Sequence, residues 1–123
     1  MNKNIVKKKL IAHLYVNCIL KNTIFSLTNQ KGQLYKQWSS KSLKKKTNLK
    51  KNAPYNIHII SYKIRKFLIL KKIRFLKIFI KGRGAGRYNF NKNLKKKNIK
   101  ILFIFDRTNL PFNGCRSKKL KRR

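Results

Sequence analysis

The chain has 123 residues, of which 35 are Lys or Arg and one, Asp106, is acidic, so its formal net charge is +34. This length fits a single domain, and the charge indicates a polyanionic partner, for which nucleic acid is the obvious candidate. A lone carboxylate excludes paired acid–base catalysis and a carboxylate cluster for a hard metal. We therefore expect no enzyme, no cofactor and no small-molecule substrate.

Apolar residues make up 41% of the chain, which is too much for a disordered basic tail and predicts a core. The longest apolar runs, at 67–70 and 101–105, fall far short of the roughly 20 residues of a membrane span. Residues 1–10 form a basic lead. The first 20 residues, with lysines and then an apolar stretch, superficially resemble a signal peptide, but polar residues interrupt the stretch and no small-residue cleavage site follows. We expect no targeting segment, so the protein is made where it works or a presequence has been removed.

Three short strands are predicted first, at 11–17, 23–29 and 33–38, because apolar and polar residues alternate in these segments. A hairpin joins the second strand to the third, with Gly32 able to take a positive φ. The three strands together indicate an antiparallel meander.

A long basic loop is predicted next, at 39–52, and Pro54 then begins a helix. The apolar residues of this helix recur at helical spacing: Ile57, Ile60, Ile64, Phe67 and Leu68. A strand at 74–81, a weaker helix at 88–98 and a last strand at 99–105 complete the pattern. We expect an α/β domain at 11–105, with a mixed five-stranded sheet and two helices, followed by a basic tail at 106–123.

The sequence KGRGAGR at 81–87 lies between a predicted strand and a predicted helix. Glycines let the backbone approach a phosphate closely, and a helix N-terminus adds partial positive charge. The spacing departs from a dinucleotide site, although Asp106 follows about 20 residues on. The flanking cations favour RNA backbone, with a plain tight turn or a mononucleotide cofactor as alternatives. The residues predicted to bind RNA here are Lys81, Gly82, Arg83, Gly84, Gly86 and Arg87.

The basic loop and the tail supply further cations. Because one acid leaves these lysines without internal partners, we predict that they contact phosphate. The tail cannot fold alone and should order on RNA, while Asp106 and Thr108 should cap a turn and pair with a nearby Arg. The RNA-binding residues predicted in these segments are Lys44, Lys45, Lys46, Lys50, Lys51, Asn113, Gly114, Arg116, Lys118, Lys119, Lys121, Arg122 and Arg123.

Several single residues carry two interpretations. Trp38 fits a core or lid position better than a base-stacking platform. His13 is expected to be structural or near RNA, and His58 to be on the surface; neither has a matching nucleophile or acid. Cys18 and Cys115 are far apart in sequence and lack metal-ligand spacing, which favours two free thiols over a disulfide or a metal site.

Asn113 precedes Gly114, which has no Cβ to hinder attack of its backbone nitrogen on the Asn side chain. This dipeptide therefore has two alternative outcomes. One is isoaspartate at Asn113, whose new carboxylate would be surrounded by Arg116, Lys118 and Lys119. The other is an intact Asn acting as a turn residue.

The sequence resembles the bacterial-type small-subunit ribosomal protein S-eleven family over about residues 11–123. From Trp38 onward the spacing fits without a gap. The departures are a lysine-rich loop after Trp38, Arg83 and Asn109 at family prolines, and Phe112 at a family histidine. The matching motifs are Ala12-His13, Asn22-Thr23-Ile24, Gly32, Trp38, Pro54, the glycine loop at 81–87, Asp106-x-Thr108 and Pro111-x-Asn113-Gly114-Cys115-Arg116.

This resemblance implies a ribonuclease-H-like sheet without catalytic carboxylates. It also implies a structural protein of the small-subunit platform that binds small-subunit rRNA near the mRNA exit region, beside other platform proteins. Abundant residues with AT-rich codons, together with the departures, predict a mitochondrial ribosome, or alternatively a plastid or apicoplast one. An organellar DNA-compacting protein is the second hypothesis, although no groove-reading helix or dimer symmetry is evident. A membrane-active basic peptide would need one amphipathic helix with few strands.

Overall fold

The computed structural model describes residues 10–43, 54–95 and 99–122. Most of the predicted basic lead, the five predicted RNA-binding lysines between 44 and 51, and Arg123 therefore lie outside the described residues. The described strands are β1 (Ile11–Ile19), β2 (Asn22–Asn29), β3 (Leu34–Ser39), β4 (Phe75–Gly82) and β5 (Lys100–Asp106). The described helices are α1 (Pro54–Leu70), α2 (Gly86–Asn89) and α3 (Asn91–Leu94), with a short 3-10 turn at Ser40–Ser42.

The strands form one five-stranded sheet in the order β3-β2-β1-β4-β5. Short connections make β1, β2 and β3 antiparallel neighbours, whereas β4 runs parallel to both β1 and β5. A parallel pair needs a crossover connection, and the segments that carry α1 and then α2 and α3 provide the two crossovers. The mixed α/β sheet predicted from the sequence is therefore confirmed.

One face of the sheet carries the core. Alternate residues of β1 are buried from Ala12 to Cys18, as the period of two in a strand requires. Helix α1 buries Ile57, Ile60, Ile64 and Leu68 in the same apolar cluster, at the spacing predicted for it. The opposite face of the sheet has no described helix packed on it, and its side chains remain partly exposed.

The second predicted helix differs from the structure. Residues 86–94 form two single-turn helices that meet at Phe90, whereas one helix was predicted over 88–98, of which 96–98 lie outside the described residues. Phe90 is buried and packs edge-on against Phe25, with 6.4 Å between the ring centroids. The segment is rich in Asn and Lys, and Asn is a weak helix former, so burial of Phe90 and Leu94 determines its path.

Trp38 lies at the margin of the core, as the sequence predicted. It is partly buried and packs edge-on against Phe67 of α1, with 5.7 Å between the ring centroids. The hairpin before it also agrees with the prediction, since Gly32 has a φ of +86°. Strand β1 is two residues longer than predicted, because Ile19 pairs with Asn22 across a turn of two residues.

Candidate nucleic-acid interface

The carboxyl ends of the three parallel strands β1, β4 and β5 lie at one edge of the sheet. In open α/β sheets this is the edge at which ligands bind. The glycine loop leaves β4 here and the basic tail leaves β5 here. The structure thus brings together two segments that the sequence singled out separately.

A hydrogen-bonded lock joins the loop to the tail. The guanidinium of Arg87 donates to both carboxylate oxygens of Asp106. It also donates to the Gly82 carbonyl oxygen and to Thr108 Oγ1, each at 3.2 Å. The Asp106 carboxylate accepts from the Thr108 backbone N–H at 3.0 Å and from its hydroxyl at 2.6 Å. We call Arg87, Asp106 and Thr108 the loop–tail lock.

The lock holds Asp106 in its charged form. Hydrogen bonds from Arg87 first, and then from the hydroxyl and backbone of Thr108, keep the pKa of the Asp106 carboxyl well below its usual range. The predicted turn cap and Arg pair at Asp106 are confirmed. The sequence predicted that the Arg87 guanidinium is available to RNA. In the structure, acceptors within the protein surround this guanidinium. Its predicted RNA contact stays a prediction.

The loop glycines are required by packing inside the protein. A Cβ at Gly82, whose φ is +94°, would overlap the carbonyl oxygen of Cys18. At Gly84 it would overlap the carbonyl oxygen of Ile19, and at Gly86 the side chain of Thr23. The Gly84 N–H donates to the Cys18 carbonyl at 3.1 Å, so the loop folds down against the end of β1. Close backbone packing explains these glycines, and a phosphate contact at them stays a prediction.

Unpaired positive charge surrounds the lock. With Asp106 engaged by Arg87, no other Asp or Glu side chain exists to neutralise the remaining cations. An open cleft of about 470 Å³ lies against the lock and is also lined by Arg83, Tyr88 and Leu110. The exposed basic residues along this edge and the tail are Lys81, Arg83, Arg107, Arg116, Lys118, Lys119, Lys121 and Arg122. The predicted RNA-binding residues did not include Tyr88, which directly follows the glycine loop, or Arg107, which lies near the start of the predicted tail.

The cysteines are free, as predicted: Cys18 is buried and Cys115 is exposed. Burial raises the pKa of the Cys18 thiol to about 11. Within the described ranges no three His, Cys, Asp or Glu residues are grouped to hold a metal ion. His58, which was predicted to be on the surface, is half-buried on α1.

The tail turns at Asn113, which has a φ of +51°, the left-handed region that Asn tolerates better than most residues. A Cβ at Gly114 would lie 2.8 Å from Cβ of Pro111, so this turn is also tightly packed. The RNA contacts predicted at Asn113 and Gly114 stay predictions. The isoaspartate at Asn113 also stays a prediction, and peptide mass spectrometry of the mature protein would reveal it.

The fold and this edge define a small, strongly basic α/β protein. The chain belongs to the family described as Ribosomal protein S11, whose pattern it matches over residues 11–123. It is 33% identical to small ribosomal subunit protein uS11 of Flavobacterium psychrophilum, over 91% of this chain and 87% of the relative. The corresponding protein of Bacteroides thetaiotaomicron is also 33% identical, over 98% and 92%. The one of Porphyromonas gingivalis is 29% identical, over 98% and 93%.

Membership confirms the resemblance noted from the motifs, and the family is one of structural ribosomal proteins, not of enzymes. The predicted mitochondrial or plastid location is wrong, because these relatives are bacterial and point to a bacterial ribosome. Residues with AT-rich codons reflect the base composition of a genome and do not identify a compartment. Among the described helices, none combines the length and the apolar character needed to cross a membrane.

Proposed function

We propose that this chain binds small-subunit rRNA as a structural component of the small-subunit platform, near the mRNA exit region and beside other platform proteins. The loop–tail lock is the observation that carries this proposal. It uses the one acidic side chain of the protein to fix the glycine loop against the start of the tail. The remaining cations at this edge then need phosphates as their partners.

The mechanism is charge neutralisation on a rigid support. The sheet and the lock fix the position at which the tail leaves the domain, and residues 107–122 continue from there without helix or strand. Exposed Lys and Arg side chains on such a segment neutralise phosphates and release counterions. Phosphate contacts position a protein on RNA without reading its sequence. This protein would therefore hold converging rRNA segments at a fixed spacing.

The salt dependence of RNA binding tests the role of the tail. Replacing Lys118, Lys119, Lys121, Arg122 and Arg123 by Ala should reduce the slope of log affinity against log salt by roughly 3–4 units. Affinity for a small-subunit rRNA fragment is measured over a series of KCl concentrations.

A charge-matched control removes five other basic side chains. These lie at the β2–β3 hairpin and along or just after α1, all of them exposed: Lys31, Lys63, Lys66, Lys71 and Lys72. We expect the control slope to stay close to that of the unmodified chain. Equal slopes for the two variants would contradict a specific role for the tail.

Assembly is tested by sedimentation of ribosomal subunits through a high-salt gradient. A structural component should remain with the small subunit after peripheral proteins have been removed. Loss in moderate salt, or retention on DNA instead, would overturn the proposal and favour a nucleic-acid-compacting role.

A further inference from the structure

The face of the sheet opposite α1 presents aromatic side chains toward solvent. We call this the open sheet face and define it by residues of three parallel strands and the start of the tail: His13 and Tyr15 of β1, Lys77 and Phe79 of β4, Phe103 and Phe105 of β5, and Arg107. Phe103 is 56% exposed and Phe105 is 44% exposed. Contiguous apolar surface of this kind on a soluble protein marks an interaction site.

The rings form an ordered row because strand register aligns them. Tyr15 pairs with Phe79, and Phe79 pairs with Phe105, across β1, β4 and β5. The Tyr15 and Phe79 rings are stacked at 4.9 Å between centroids, and those of Phe79 and Phe105 at 5.2 Å, with interplanar angles of 14° and 13°. His13 contacts Phe79 edge-on at 5.5 Å. The row is therefore a preformed surface whose side chains lose little further freedom on binding.

Positive charge is interleaved with these rings. The Arg107 guanidinium lies 4.5 Å from the Phe79 ring centroid, and Lys77 Nζ lies 6.0 Å from that of Phe103. Burial, Lys77 and Arg107 together lower the pKa of His13. With Asp106 held by Arg87, this face has no carboxylate of its own. Its occupant should therefore supply both negative charge and flat apolar groups.

A cleft of about 310 Å³ opens at the end of this face next to the candidate interface. Its polar groups suit the edge of a base and its phosphate, since amides offer donors and acceptors and cations offer charge. The lining residues that matter here are Tyr15, Asn17, Phe79, Lys81, Arg107 and Asn109. Because Lys81 and Arg107 also lie along the basic edge, an RNA strand bound there can continue onto this face.

We propose that the open sheet face binds a single-stranded stretch of RNA, with one unpaired base in the cleft beside Tyr15 and Asn109. This proposal rests on the proposed function, and it specifies the type of RNA that is bound and the surface that binds it. Bases in a duplex are stacked inside the helix and cannot reach the rings, whereas bases in a single strand are free to stack on aromatic side chains. The protein should therefore discriminate between the two forms of RNA at this face alone.

The test compares affinities for two probes in the full-length protein. One is a single-stranded RNA of about ten nucleotides and mixed sequence, within the usual range of such sites, and the other is a duplex of the same length. Tyr15→Ala should weaken binding of the single strand by roughly fivefold or more, the loss expected for one stacking contact. Arg107→Gln should weaken it as well. Tyr15→Ala should leave duplex affinity unchanged within error. Arg107→Gln should weaken duplex binding less than single-strand binding, because this cation also lies along the basic edge.

Matched controls separate a local effect from a general one. Tyr62→Ala removes a tyrosine that is 60% exposed on α1, away from this face. Arg74→Gln removes an exposed arginine just before β4, at the opposite end of that strand. Neither change should alter the preference for single-stranded RNA. Tyr15→Phe keeps the aromatic ring and should retain binding of the single strand. Retained binding in this variant would show that the loss in Tyr15→Ala comes from the missing ring and not from misfolding.

Ultraviolet cross-linking in assembled small subunits provides a readout without any substitution. Peptides that contain Tyr15, Phe79 or Phe105 should carry a cross-linked nucleotide. This inference would be overturned if Tyr15→Ala and Arg107→Gln left the affinity for single-stranded RNA unchanged. If the tail variant still reduced the slope of log affinity against log salt, the proposed function would stand. A neighbouring protein cross-linked to this face, with no nucleotide there, would also overturn it. If the tail variant also left the slope of log affinity against log salt unchanged, both proposals would be contradicted.

Discussion

Asp106 determines the local geometry of the whole basic edge. Its lowered pKa means that it stabilises the fold above its ordinary pKa of 3.8, and this contribution is lost as the pH falls below that value. Asp106→Asn keeps the size of the side chain but removes its charge. The fold should therefore be less stable than that of the unmodified chain at pH 7, and the difference should shrink as the pH falls below about 4.

Thermal melting in sulfate-containing buffer, which screens the positive charge, measures this effect. Arg87→Gln serves as the partner variant, and the double variant should lose less stability than the two single losses added together. Strictly additive losses at pH 7 would show that the two side chains act independently.

The two cysteines should differ sharply in reactivity. Cys18 is buried and its pKa is raised to about 11, so little thiolate exists near pH 8, whereas Cys115 is exposed on the tail. Iodoacetamide should therefore alkylate Cys115 first in the folded protein. Peptide mass spectrometry follows the reaction, with denatured protein as the control in which both thiols react. Protection of Cys115 by an rRNA fragment would locate the tail against RNA, and rapid alkylation of Cys18 would contradict the packing of β1.

At the scale of elements, the glycine loop depends on contact with the end of β1. Gly84→Ala places a Cβ against the Ile19 carbonyl oxygen, although φ at this position is not positive. The loop must then shift, at a cost of about 1–3 kcal/mol. Ala85→Val changes an exposed neighbour and should be tolerated. Incorporation of each variant into small subunits measures the difference, and equal incorporation would show that the loop merely connects two elements.

The elements differed in how far sequence could predict them. Alternation in β1 and the spacing of Ile57, Ile60 and Ile64 identified this strand and α1, because each pattern is local. The break at Phe90 was not predictable, since it depends on contact with Phe25 in a distant strand. The packing roles of the loop glycines could not be predicted either, because they depend on contacts with β1 and β2, which are distant in sequence.

The open sheet face was only partly visible in the sequence. Its residues alternate with core residues in β1 and β4. A single pattern cannot show that Tyr15, Phe79 and Phe105 lie side by side, because that requires the register of three strands. The sequence motifs identified the glycine loop and the tail only as separate segments, and the parallel pairing of β4 and β5 places them at the same edge of the sheet.

At the scale of the whole molecule, repulsion among charges opposes the fold. A formal net charge of +34 predicts that the isolated protein is only partly folded or insoluble at low ionic strength. Addition of an rRNA fragment should increase its ordered structure because phosphates neutralise the surface. Circular dichroism with and without RNA measures this change, and sodium chloride at matched ionic strength is the control for simple screening. A cooperative melt that does not depend on RNA or salt would contradict the prediction.

The strand order also governs when the protein can fold during synthesis. Central strand β1 pairs with β4, so that Ile11 lies beside Phe75, and contacts between residues so distant in sequence form slowly. The first three strands emerge early, but their apolar face stays uncovered until α1 and β4 follow. The loop–tail lock closes last, because Asp106 ends the final strand. We therefore expect stable docking on rRNA to begin only when nearly the whole chain has left the ribosome that makes it.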